Sequence, residues 1–285
     1  MRIGVFDSGI GGLSTLLACL RRLPDAEYLF YGDTANAPYG DKDPDAVLRL
    51  TRYAYDWFIQ AEANAVVLAC NTATSAAVAP LRERAQVPII GIEPAIKKAL
   101  TLHPQGPVLL LATELTVSGS KLRDLLARLE DAEGRVQALA CPGLAEMIED
   151  QDRQGDQCIH DYLCRRVLPG LRVPPRAIVL GCTHYCWIGN ALGQVFGPDV
   201  ALVDGNDGVA RQLLRRLQRE DPPREAPELP PTARIHFHFT HDPVRKQAFA
   251  TALLQEAGVR ILPVSSPSSV AALPDRPYHG PGRRA

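Results

Sequence analysis

The sequence predicts an α/β fold of two similar domains, each a mostly parallel sheet flanked by helices, with the active site between them. Three observations carry this expectation. Short apolar or β-branched runs alternate with helix-length segments along most of the chain. A cysteine motif that closes one run returns roughly 110 residues later. Polar residues able to do chemistry stand directly after the runs, at the carboxyl strand ends where parallel sheets bind ligands.

The first run, 3–6, ends at Asp7-Ser8, and Leu13, Leu16, Leu17 and Leu20 follow at helical spacing. A second strand is predicted at 28–31. A longer helix comes next, capped by Asp43 with Pro44 in its first turn, where the missing N–H breaks no helical hydrogen bond. The third strand, 65–69, runs straight into Cys70. Further strands are predicted at 89–92, 108–112, 136–140, 177–180 and 201–203. The stretch 220–231, rich in proline and charge, reads as a loop or linker, followed by a strand at 235–239 and a helix at 243–256. Strand-Cys-Asn-Thr at Cys70 recurs as strand-Cys-Thr-His at Cys182, and Thr113 follows its strand as Ser8 does at a near-equal offset. Two α/β units of about a hundred residues each, facing one another, account for both matches.

Composition narrows the function. With 46% hydrophobic and 22% charged residues, the 285-residue chain is a folded globular protein and not a disordered one. Lys+Arg of 31 against Asp+Glu of 32 leaves a net charge of -1, so there is no basic field to hold nucleic acid or an anionic membrane. A small-molecule ligand is expected. Asp7 stands where a signal peptide needs an apolar core, and no apolar run is long enough to span a bilayer, which reads as a cytoplasmic protein. Seven cysteines without regular spacing predict free thiols.

Inverting an α-carbon takes one group to remove a proton from one face and a second to return one to the other. A thiol, with an ordinary pKa of about 8.5 that helix N-termini or histidine can lower, serves in either role. Cys70 and Cys182 stand at strand ends and are followed by small polar residues, so they are taken as that pair. Cys19, Cys141, Cys158 and Cys164 read as ordinary core thiols. Metal readings are weaker: Cys182, His184 and Cys186 lack Cys-x-x-Cys spacing, and His236, His238 and His241 suit a half-buried strand. None of the five lysines ends a strand near the motifs, which disfavours a Schiff-base cofactor, and Gly9, Gly11 and Gly12 do not make Gly-x-Gly-x-x-Gly. Close approach of the backbone to a carboxylate or to Cys70 is the simpler use of these glycines.

The motifs DSGIGG at 7–12, YGD at 31–33, PYG at 38–40, ACNTAT at 69–74, GIEPA at 91–95 and LGCTHY at 180–185, taken in order, resemble the glutamate racemase family of the aspartate/glutamate racemase superfamily. The resemblance covers roughly the first 210 residues and extends loosely into FTHDP at 239–243. It implies cofactor-independent interconversion of L- and D-glutamate, supplying D-glutamate for peptidoglycan. Cys70 would then act on D-glutamate and Cys182 on L-glutamate, with Asp7 and His184 as their helpers. Ser8, Tyr39, Gly40, Asn71, Thr72, Thr113, Thr116 and Thr183 match substrate-binding positions, and Glu149 a further acidic residue at the site. The resemblance further implies a homodimer and a chain that returns to its first domain. The expected domains are 1–94 with 207–264, and 95–206, with 265–285 a disordered tail. Cys186, Glu146 and Gly119 depart from the family pattern without removing a catalytic position. A racemase of another amino acid and a binding protein that keeps the fold remain as competing readings.

Overall fold

Every strand pairing among the described residues of the computed structural model is parallel, and their strands fall into two separate sheets. The structure describes residues 1–129, 132, 134–150, 156–219 and 228–262. The expected tail at 265–285 and most of the expected linker at 220–231 lie outside these residues.

The described residues divide into two units, one formed by those of 1–92 with 206–219 and 228–262, the other by those of 93–205. In the first, β1 (Arg2–Asp7), β2 (Glu27–Gly32), β3 (Ala65–Leu68), β4 (Ile89–Gly91), β9 (Thr232–Phe239) and β10 (Arg260–Leu262) pair in the order β10-β9-β2-β1-β3-β4. In the second, β5 (Val108–Ala112), β6 (Val136–Ala140), β7 (Ala177–Leu180) and β8 (Ala201–Val203) pair in the order β6-β5-β7-β8. The order β2-β1-β3-β4 in one is thus the order β6-β5-β7-β8 in the other. Cys70 follows the third strand of its unit and Cys182 the third strand of its own, so the repeat seen in the sequence is also a repeat of topology.

Burial explains why these runs are strands. The residues of β3, β5 and β7 are buried throughout, as expected of central parallel strands covered on both faces. Helix α1 (Leu13–Arg22) buries Leu13, Leu16 and Leu20 as its spacing predicts. Helix α2 (Pro44–Gln60) begins as expected, the Asp43 carboxylate accepting the Asp45 N–H at 2.9 Å with Pro44 in the first turn. Helices α3 (Asn71–Arg82) and α4 (Ile96–Leu102) complete the first run of α/β alternation, and α5 (Glu114–Ser118) and α6 (Ser120–Ala127) follow β5. Helix α7 (Leu144–Glu149) follows β6. A helix α8 (Asp156–Tyr162) then continues into a π-helical turn at Leu163–Val167. Helix α9 is Gly189–Phe196, α10 is Asn206–Arg216 and α11 is Pro243–Glu256. The return of the chain to the first unit is fastened by α10 against α1, where Thr15 Oγ1 donates to Asn206 Oδ1 at 2.7 Å and Arg22 Nε to Asp207 Oδ1 at 2.8 Å.

Two thiols assigned to the core sit differently. Cys19 and Cys141 are buried, and burial pushes each thiol up to about 12. Cys158 and Cys164 are only half-buried, because α8 and the π-helical turn after it keep part of their surface in solvent; Cys164 Sγ lies 3.8 Å from His160 Nδ1. Cys182 departs from the helix-start setting that Cys70 occupies. The helix after it begins as a 3₁₀ segment, Thr183–Ile188, and its side chain caps no backbone N–H. The α-helical N-terminus expected beside this thiol is absent, and another partner takes its place.

Gly181 joins β7 to Cys182 where no larger residue fits: a Cβ there would stand 2.8 Å from the Leu111 carbonyl oxygen and 2.9 Å from Ala112 Cβ. Gly193, inside α9, has open space around its Cβ position. Gly181→Ala should therefore destabilise by roughly 1 to 3 kcal/mol through overpacking. Gly193→Ala should be neutral or stabilise by up to about 1 kcal/mol. Chemical denaturation of both variants measures the difference, and equal midpoints would contradict this reading of the turn.

Candidate functional site

The candidate residues form one cluster in each unit. In the first unit, parallel pairing brings the ends of β1, β2 and β3 to a single edge of the sheet. The loop after β1 supplies Asp7 and Ser8, the loop after β2 supplies Tyr39 and Gly40, and the turn after β3 supplies Cys70, Asn71 and Thr72. All are buried.

Cys70 is the N-cap of α3. Its Sγ accepts the Ala73 N–H at 3.5 Å and lies 3.5 Å from Ser8 Oγ. A sulfur that receives a helix N–H has its anionic form favoured without a formal positive charge nearby. Asp7 is fully buried and one carboxylate oxygen accepts the Gly9 N–H at 2.9 Å. Gly12 explains part of the glycine-rich turn, since a Cβ there would stand 2.6 Å from Asp7 Cβ and 3.1 Å from Ala69 Cβ. The glycine is where the backbone must pass the carboxylate-bearing side chain. Asn71 stands at the start of α3 with both its amide nitrogen and oxygen buried and without a hydrogen-bond partner. A buried amide left unsatisfied costs on the order of 1 to 3 kcal/mol, which a polar ligand able both to accept and to donate would relieve.

In the second unit, Cys182 follows β7 and its Sγ lies 3.7 Å from His184 Nδ1. His184 Nε2 in turn lies 2.7 Å from Glu149 Oε2 at the end of α7. Burial by itself would push the imidazole down, but its hydrogen bonds to Cys182 and Glu149, with their charges, outweigh it and hold His184 well above its ordinary value. The arrangement is a thiol, an imidazole and a carboxylate in line, the imidazolium able to stabilise a thiolate. Thr183 is buried beside them. Thr113 caps α5 and its hydroxyl donates to Thr116 Oγ1 at 2.9 Å, so these two threonines are brought to each other.

The structure also adds residues that motif reading passed over. Asp33, the last residue of YGD, is buried and accepts the Tyr39 hydroxyl at 2.6 Å. A carboxylate directly after a strand, six residues before the Tyr39 of PYG, was the available signal. The half-buried His236 and His238 have a plainer use: the His238 ring lies 4.8 Å from Tyr31 and 5.2 Å from Trp57, and His236 stacks on Trp57. No helix among the described residues is long and apolar enough to cross a membrane.

The Asp/Glu/Hydantoin racemase family model matches residues 9–213. A glutamate racemase from Campylobacter curvus is 42% identical over 225 residues, covering 77% of this chain and 84% of that one. Among solved structures, a glutamate racemase from Bacillus anthracis aligns with TM-score 0.76 at 26% identity, covering 93% of this chain and 98% of its own. The Escherichia coli glutamate racemase, solved with L-glutamate and the activator UDP-MurNAc-Ala, aligns with TM-score 0.72 at 28% identity over 93% of this chain and 99% of that one.

The relay on Cys182 yields a test independent of any activity. Glu149 raises the His184 value, so Glu149→Gln should move the imidazole titration to lower pH, as read by NMR of ring-labelled histidine. An unmoved titration would remove Glu149 from the relay.

Proposed function

The chain belongs to the Asp/Glu/Hydantoin racemase family, and we propose that it is a glutamate racemase that works by two cysteines and no cofactor. What supports the two-thiol reading above all is the equivalent placement of Cys70 and Cys182. Each directly follows the third strand of a unit with the same strand order, beside polar groups that can tune it.

Cys182 takes the α-proton of L-glutamate as a thiolate, stabilised by the His184 imidazolium that Glu149 keeps charged. Cys70, starting as a thiol, gives its proton to the opposite face of the same carbon and leaves D-glutamate. In the reverse direction the roles exchange. Asn71, with an amide that can donate to a carboxylate and accept from an ammonium, holds the substrate with Ser8, Tyr39, Gly40 and Thr72. Thr113, Thr116 and Thr183 serve the substrate from the second unit, and Asp7 assists Cys70. The D-glutamate made, in the cytoplasm and by a homodimer, supplies peptidoglycan synthesis. The domain limits that go with this reading are 1–94 with 207–264, and 95–206.

The first test follows L-glutamate and L-aspartate by circular dichroism with no cofactor added. Wild type should turn over glutamate in preference to aspartate, with and without EDTA. Cys70→Ser and Cys182→Ser should each lose about 10² to 10⁴-fold in rate. Full turnover by either variant would end the two-thiol mechanism, and a preference for aspartate would overturn the substrate.

A second test separates the roles of the two thiols. Enantiomers are equal in free energy, so kcat/KM must remain equal in the two directions for any variant. His184→Gln should lower both by about 10²-fold. The loss shows its side in isotope effects: the α-deuterium effect should grow with L-glutamate, whose proton Cys182 removes, and not with D-glutamate. Growth with D-glutamate instead would reverse the assignment.

A further inference from the structure

Asp33 and the FTHDP motif have no part in the two-proton chemistry, yet they meet in a dense polar cluster. Asp33 is 3% exposed. Its Oδ1 accepts from Thr240 Oγ1 at 2.8 Å and from Asn36 Nδ2 at 3.0 Å, and its Oδ2 accepts from the Tyr39 hydroxyl at 2.6 Å and from Asn36 Nδ2 at 3.1 Å. The Thr240 hydroxyl, its proton given to Asp33, accepts the Ala35 N–H at 2.9 Å. Thr34 joins the same turn, accepting the His241 N–H at 2.8 Å and donating to the His241 carbonyl at 2.9 Å. Backbone bonds extend the sheet through this cluster, from Asp33 N–H to Asp7 O at 3.0 Å and from Thr240 N–H to Gly32 O at 3.1 Å.

The loop that carries Tyr39 and Gly40 is therefore pinned near its start to residues that come 207 positions later in the chain. Tyr39 is packed 6.0 Å from the Phe6 ring, and its hydroxyl is committed to a carboxylate. Burial, followed by the Asp33 charge and with Cys70 contributing, holds its phenol well above the ordinary value, so Tyr39 stays neutral beside the thiol. A charge-assisted hydrogen bond of this length fixes both the rotamer and the loop behind it.

We propose that Asp33 and Thr240 are positioning residues for the substrate: through Tyr39 and the 34–40 loop they set the pocket beside Cys70, and so bring the end of β9 into the working site. This rests on the glutamate racemase reading above. Neither residue touches a reacting atom. Their effect should fall on substrate binding and leave the proton-transfer step nearly intact.

Steady-state kinetics with L- and D-glutamate on the full chain provide the test, using Thr240→Val, Thr240→Ser, Asp33→Asn and the double variant Asp33→Asn/Thr240→Val. Thr240→Val should raise KM about tenfold for both enantiomers, with kcat changed by less than about threefold. Thr240→Ser, which keeps the hydroxyl, should return KM to within about twofold of wild type. The double variant should be no worse than Asp33→Asn alone, because the two act as one unit. If Thr240→Val does not fold, Thr240→Ala takes its place, with the thermal midpoint recorded for each variant. Unchanged KM, or equal loss with Thr240→Ser, would overturn the proposal while leaving the racemase reading in place. A wild type that does not racemise glutamate would overturn both.

Discussion

Parallel pairing within each sheet is what the rest of this protein depends on. Because β1, β2, β3 and β9 run the same way, their carboxyl ends share one edge, and Asp7, Asp33, Cys70 and Thr240 all stand there. The chain leaves β1 for β2 on one side and β3 for β4 on the other, so the loops after these neighbouring strands part and leave a crevice. The second unit repeats the device, with Thr113 after β5 and Cys182 after β7. Glycine makes the turns possible. Gly12 lets the backbone pass Asp7, and Gly181 lets it pass the Leu111 carbonyl on the way to Cys182.

Equivalent position does not bring equivalent surroundings. Cys70 is tuned by a helix N–H and a hydroxyl, neither of which carries a full charge. Cys182 has no cap and instead meets an imidazole charged through a carboxylate. A two-thiol racemase needs one thiolate and one thiol at the start of each turnover, and their protonation states are exchanged by its end. In the proposed mechanism the proton that Cys182 takes comes from the substrate and the proton that Cys70 gives is a different one, so the His184–Glu149 pair serves one thiol without acting on the other's proton.

Much of this could be read in the sequence, and the exceptions have physical reasons. Runs of buried β-branched and apolar residues located the strands, and α11 begins at Pro243 and ends at Glu256 as expected. The topology repeat was visible as two cysteine motifs because the residues after the third strand recur. The 3₁₀ segment after Cys182 was not visible, since nothing in Thr-His-Tyr-Cys separates its i→i+3 bonding from a first α-helical turn. Cys158 and Cys164 were assigned to the core on residue type alone, and the packing of one half-covered helix decided otherwise. The partnership of Asp33 with Thr240 joins residues 207 apart, a distance at which local patterning carries no signal. Tyr39 and Glu149 were found through motifs, but what each holds on to, Asp33 and His184, came only with the folded chain.

The central claim is that the group removing the α-proton is not the group that returns one. Racemisation of protiated L-glutamate in deuterium oxide, analysed at low conversion by mass spectrometry and NMR after chiral separation, tests it most directly. D-glutamate should carry deuterium at Cα and recovered L-glutamate should still be protiated. Product that keeps protium, or substrate that gains deuterium as fast as product forms, would mean one base serving both faces and would contradict it.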